Sequence, residues 1–202
     1  FAILPKIAAL TVIIRFLYVP FLNVIEQWQM IIIFLSIASM VFGAVAAIGQ
    51  SNLKRLVAYS SIGHMGYALI GLAVAGETGS PAVQSGGLHG MLVYLAIYMV
   101  MNLGTFACIL LMKKDGRMME DINDIAGLSK TNPALAAVFT IFMFSMAGIP
   151  PLAGFLGKLY VFQSAIQAEL FSLAIIGVLA SVVGAFYYIR IVNMPAIYIH
   201  LH

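Results

Sequence analysis

The stretch Ala147-Gly148-Ile149-Pro150-Pro151, followed by Gly154-Phe155-Leu156-Gly157-Lys158, decides how this chain is read. It interrupts an apolar run from about 133 to 168. A spanning helix needs about 20 apolar residues at 1.5 Å rise each, so this run is too long for one straight crossing. Proline removes a backbone donor and clashes with the preceding turn. Gly148, Pro150 and Pro151 therefore predict a kink or an unwound break. Backbone groups freed inside a bilayer are tolerated only where protein or a watery cavity satisfies them. Lys158 follows seven residues after Pro151. An amine at membrane depth is costly enough to be read as functional by default. Two half-helices around a polar hinge, with an amine beside it, suggest an ion path.

Working outward, the same ruler predicts an all-α, polytopic transmembrane helix bundle of about six spans, with one broken helix at 133–168. The other spans are expected from the start to about Val19, from about Met30 to Ile48, Leu56 to Ala75, Leu88 to Met112, and Phe171 to Met194. Composition agrees: 63% of residues are hydrophobic and 8% charged. Globular chains carry roughly 25% charged residues, so a soluble domain is excluded. The one cysteine, Cys108, supports neither a disulfide framework nor a metal site. No basic patch interleaves with aromatics, so nucleic acid is not an expected partner. Phosphate loops, dinucleotide fingerprints and nucleophile elbows are missing, as are ligand sets for haem or iron–sulfur clusters. No cofactor is expected in this chain. It opens on Phe1 within an apolar, helix-like run, and reads as one membrane domain, 1–202, cut from a longer protein inside a span.

The basic residues orient the spans. Lys54 and Arg55 precede the third; Lys113, Lys114, Arg117 and Lys130 fill the loop before the broken helix; Arg190 ends the last. The alternate loops carry only Glu26 and Glu77. The positive-inside rule puts the basic loops together on the cytoplasmic or matrix face. A short surface helix or turn set is expected around Met118 to Leu128.

Lys6 is the second intramembrane amine, roughly 18 Å along its helix from Tyr18. It either sits near mid-bilayer or snorkels to the interface. Burial makes an amine's protonation responsive to its surroundings, as proton handling requires. His64 lies about 13 Å along its helix from Arg55. It reads either as a proton shuttle or as a neutral ring bonded to a neighbouring helix. Gly63 and Gly66 allow that neighbour to approach closely. Lys54 and Arg55 read as lipid-phosphate anchors; alternatively Lys54, Tyr59 and Ser60 line a proton entry. Arg15 is expected to snorkel, Glu77 and Glu169 to sit at the outer boundary, and His89 to open its helix there. His200 and His202 lie too near the end of the chain to interpret.

The run from Ala47-Ile48-Gly49-Gln50-Ser51-Asn52-Leu53-Lys54-Arg55 to Tyr59-Ser60-Ser61-Ile62-Gly63-His64 closely resembles the signature of the antiporter-like subunits of respiratory complex I. Relatives of these include the large subunits of multisubunit sodium/proton antiporters and membrane-bound hydrogenases. The Gly-Ile-Pro-Pro and Gly-Phe-Leu-Gly-Lys elements resemble the branch with lysine, rather than glutamate, on the broken helix. The likeness covers essentially the whole chain. It implies that the chain is the C-terminal part of such a subunit, from the family's eighth helix through its thirteenth. Lys6 and Lys158 would match the lysines of the eighth and broken twelfth helices, and His64 a histidine of the tenth. A glutamate and a lysine of two earlier helices would lie upstream. The tail after Arg190 departs from the family pattern. The implied function is proton translocation coupled to quinone reduction, with NADH, FMN, iron–sulfur clusters and quinone handled by other subunits. Implied partners are the other membrane-arm subunits and the lipid bilayer, in a bacterial or mitochondrial inner membrane. The alternatives are a sodium/proton antiporter or membrane-bound hydrogenase subunit, and a structural scaffold. Sodium-dependent pH change in vesicles would favour the antiporter. Harmless replacement of both lysines by methionine would favour the scaffold.

Overall fold

The computed structural model describes residues 4–18, 20–21, 24–75, 81–114 and 117–197. Glu77, His200 and His202, named above, lie outside them. The chain is a helix bundle in the order α1 (Leu4–Tyr18), α2 (Ile25–Ile48), α3 (Leu53–Ala75), α4 (Pro81–Leu111), α5 (Leu128–Thr131), α6 (Pro133–Ala147), α7 (Ala153–Gln167) and α8 (Phe171–Ile197). Four of these, α2, α3, α4 and α8, are each long and apolar enough to cross a membrane. The half-helices α6 and α7, 15 residues each, are individually too short. End to end they make one interrupted span, as the Gly-Ile-Pro-Pro element predicts.

The centre of the bundle is α3, packed against α2, α4 and α7, while α8 closes the other side over α6 and α2. Small residues let α3 in. A Cβ on Gly66 would sit 2.6 Å from Met40 Cγ and 2.9 Å from the Ser36 carbonyl of α2. One on Gly43 of α2 would meet the Gly63 backbone at 2.5 Å. The expected close approach at Gly63 and Gly66 is thus made by α2. Outward-facing side chains such as Phe34, Leu103, Val182 and Phe186 are exposed and apolar, as a lipid-facing surface requires.

Helix starts differ from expectation in an instructive way. Lys54 and Arg55 fall inside the first turn of α3 because Asn52, whose side chain accepts from the Arg55 N–H, starts the helix earlier. Pro81 begins α4 about two turns before the predicted start, since proline at a helix start gives up no needed donor. His89 is therefore inside that helix, its ring 6.4 Å from that of Tyr160.

The segment after α4 folds as a two-residue strand pair, Lys113–Lys114 with Arg117–Met118, then a 3-10 turn, Ile122–Ile125, and α5. A reciprocal capping box between Asp121 and Asp124 starts the turn. The segment is stitched across the α2–α3 junction: Leu53 N–H donates to the Glu120 carbonyl at 2.7 Å and Ile122 N–H to the Ser51 carbonyl at 2.9 Å. Lys54 pairs with Glu120 at 2.7 Å. Arg190 of α8 donates to the Ile48 carbonyl at the end of α2, at 3.2 Å. The basic segments thus gather at one end of the bundle, as their alternation predicts.

Candidate functional site

The break between α6 and α7 builds the first half of the site. Gly148 ends α6 in the left-handed region, φ +86°, where glycine meets no Cβ penalty. Its N–H returns to the Phe144 and Ser145 carbonyls, and the Ile149 N–H to Phe144. Two carbonyls of the last turn, Met146 and Ala147, remain to be satisfied. Lys158, one turn into α7, donates to both, at 3.4 and 2.9 Å, and to the Ser181 hydroxyl of α8 at 2.8 Å. A cation there also meets the negative end of the α6 dipole. Lys158 is buried at 6% exposure, with no carboxylate among these partners. Its ammonium lies 5.1 Å from the Tyr67 ring centroid, within cation–π range.

On the other flank of the break, Gly154 N–H donates to Ser145 Oγ at 3.1 Å. A Cβ on Gly154 would overlap the Ser145 carbonyl, so the two half-helices meet only through glycine.

The second half centres on His64, buried on α3. Nδ1 lies 2.6 Å from the Tyr94 hydroxyl of α4, and Nε2 lies 3.2 Å from the Tyr188 hydroxyl of α8. Tyr188 continues to Ser60 through a short hydrogen bond. With a phenol at each nitrogen, the ring is held for either tautomer. A cavity of about 10 Å³ touches His64, Ser60, Tyr67, Tyr187, Tyr188 and Lys158 together. That is about the room one water needs. On its outward side Lys158 also lines a cleft of about 360 Å³ between Ile149, Pro150, Phe155, Phe162 and the α8 residues Ser181 and Val182.

Lys6 of α1 is half-buried and donates to Ser61 of α3 through a short hydrogen bond. It therefore turns inward, three residues from His64 along α3.

The six residues singled out do not stay one group. Lys6, His64, Lys158 and Ser60 converge on the interior. Lys54 faces the Glu120 carboxylate at the surface, and the half-buried Tyr59 packs its ring on Phe42 at 6.1 Å between centroids. Sequence reasoning misses Tyr94, Tyr188, Ser61 and Ser181 as individual partners. A signal for the first is present: Tyr94, Tyr98, Asn102 and Thr105 recur at helical spacing as a polar stripe along the apolar part of α4. Of the remaining expectations, Arg15 is exposed on α1 and Glu169 follows α7 at a left-handed φ of 60°.

The comparisons with known proteins agree with this architecture. Residues 1–184 match the family described as NADH:quinone oxidoreductase/Mrp antiporter, TM. The chain belongs to that family. It is 59% identical over 194 residues to the NADH-quinone oxidoreductase subunit N of Rhodospirillum rubrum, covering 96% of this chain and 38% of the relative. It is 56% identical to the subunit of the same name from Pelagibacter ubique, covering 96% and 40%. The chain thus spans about two fifths of the length of the curated relatives it matches. Among solved structures, respiratory complex I from Thermus thermophilus with bound NADH aligns at TM-score 0.72 and 28% identity, over 85% of this chain and 34% of the other. The Mrp complex from Dietzia sp. aligns at TM-score 0.72 and 25% identity, over 83% and 30%.

Proposed function

We propose that this chain is part of a proton-translocating membrane-arm subunit of an NADH-quinone oxidoreductase, with Lys6, His64 and Lys158 as its relay. The carrying observation is the lysine held on the two open carbonyls of a broken helix, sharing a water-sized cavity with a histidine. Lys158 is supported by neutral dipoles rather than a carboxylate, so it can exist charged or neutral without stranding a buried anion. A proton on His64 reaches it through one water, and the 360 Å³ cleft gives the next step outward. Lys6 with Ser61 is the preceding station, and Ser60 with Tyr188 connects the ring toward the end where Lys54 and Tyr59 lie. Like charges repel more strongly in a dry interior than in water, so charging one station favours emptying the next.

In this reading NADH, FMN, iron–sulfur clusters and quinone belong to other subunits, and the bilayer is a bacterial plasma or mitochondrial inner membrane. The names of the relatives support the redox partnership. The likeness to the Mrp complex favours a second reading, cation/proton exchange without a redox partner. The deciding experiment is Lys158→Ala in the full-length protein within its assembled complex. Proton release per quinone reduced should fall while quinone reduction persists; normal stoichiometry would remove Lys158 from the path. Sodium-driven pH change in vesicles, with no dependence on quinone, would select the antiport reading.

A further inference from the structure

Ser145, buried in the last turn of α6, holds two other helices at once. Its hydroxyl donates to Met101 Sδ of α4 at 2.9 Å, and its oxygen accepts from the Gly154 N–H of α7 at 3.1 Å. One residue on, Met146 Sδ accepts from Thr105 Oγ1 of α4 at 3.4 Å. The last turn of α6 is therefore fixed to α4 at two points, and α7 is fixed to that turn.

Gly154 is the second residue of α7, where a backbone N–H has no partner within its own helix. Such a donor is usually met by a Ser, Thr, Asp or Asn at the N-cap. Here the N-cap is Leu152, whose side chain has no acceptor, and Ser145 supplies one from across the break. Gly154 and Lys158 are four residues apart, so they lie on one face of α7, a turn from each other. On that face α6 holds α7 twice: Ser145 Oγ takes the Gly154 N–H, and the Met146 and Ala147 carbonyls take the Lys158 amine. The two attachments differ in one respect. Bonds from a charged amine are roughly twice as strong as neutral ones, so the second weakens whenever Lys158 gives up its proton. The first involves no titratable group and is the same in both states. Slippage of α7 by one residue would turn its face by about 100° and carry the amine off both carbonyls.

We propose that Ser145 is a positioning residue: its bond to Gly154 keeps α7 in register with α6 while Lys158 is neutral, so that the amine regains its proton on the same carbonyls. The cycling of Lys158 rests on the relay reading above; the register does not. The titratable groups nearest the amine are His64 and Tyr67 on α3, Tyr187 and Tyr188 on α8, and, facing Gly157 from α4, Tyr94. All of them stay in place in the variants below.

The test reads the distance between the half-helices in the full-length protein, with spin labels at the exposed positions Ile141 of α6 and Ile166 of α7, by double electron–electron resonance. The parent, Ser145→Ala and Lys158→Met each keep one attachment and should share a single narrow distance. Ser145→Ala and Lys158→Met together lose both, and should broaden or shift it. In the assembled complex, proton release per quinone reduced should fall in Ser145→Ala and return in Ser145→Thr, which keeps the oxygen. A parental distance in the double variant, or Lys158→Met alone as broad as the double, overturns the proposal. So does normal release in Ser145→Ala where Lys158→Met is impaired. Should the double variant not fold, the loss in Ser145→Ala and its recovery in Ser145→Thr decide, and equal loss in both overturns the proposal. If Lys158→Met pumps normally, the relay reading falls, and the distances alone decide whether Ser145 sets the register.

Discussion

At the residue scale, Lys158 is defined by its acceptors more than by its depth. The last turn of α6 leaves two carbonyls open, and Ser181 supplies a third oxygen. Ser181→Ala deletes one charge-assisted bond, which costs about 1.5–3 kcal/mol. Proton release per quinone reduced should fall, while Ser181→Thr, which keeps the hydroxyl, should stay close to the parent. The lysine itself is legible in the sequence, because an amine seven residues past a Pro-Pro pair in an apolar run is too costly to keep without a use. Ser181 is not. A serine in a spanning helix is inexpensive wherever it points, so only the fold could show that it faces α7.

Elements show a sharper division. The break at 148–152 is readable because glycine and proline act on the backbone locally, whatever surrounds them. How the halves meet is not readable, because it depends on Ser145 capping Gly154 across the gap. Gly154→Ala should destabilise the bundle by about 1–3 kcal/mol through overpacking, more if the backbone cannot shift. A lowered thermal midpoint in detergent checks this, and Ala153→Ser at the exposed neighbouring position should leave that midpoint unchanged. Gly66→Ala, opposed by Met40 and Ser36, should act in the same direction as Gly154→Ala at the α2–α3 crossing. The helix starts depart from expectation for a related reason. Hydropathy marks where a span is apolar, whereas Asn52 and Pro81 mark where the helix begins, and these differ by a turn or two.

For the whole molecule, the basic end is tied together by the 113–132 segment, the Lys54–Glu120 pair and the Arg190 contact to Ile48. The hydrogen bond from Lys54, and then its charge, hold the Glu120 carboxyl below its usual 4.5. The contact is therefore complete above that pH and is lost as pH falls through the lowered value. Proteolysis within 113–132 should accelerate on acidification below about 4.5 and already be faster at neutral pH in Glu120→Gln. The effect is small, since exposed ion pairs contribute little. Charge alternation between loops reveals which segments share this end; it could not reveal that one of them is laced over the α2–α3 junction, because backbone pairing leaves no mark in composition. The opposite trait governs the middle of the bundle. The space between imidazole and amine, about 10 Å³, is the size of one water and too small for an ion that still carries its hydration shell.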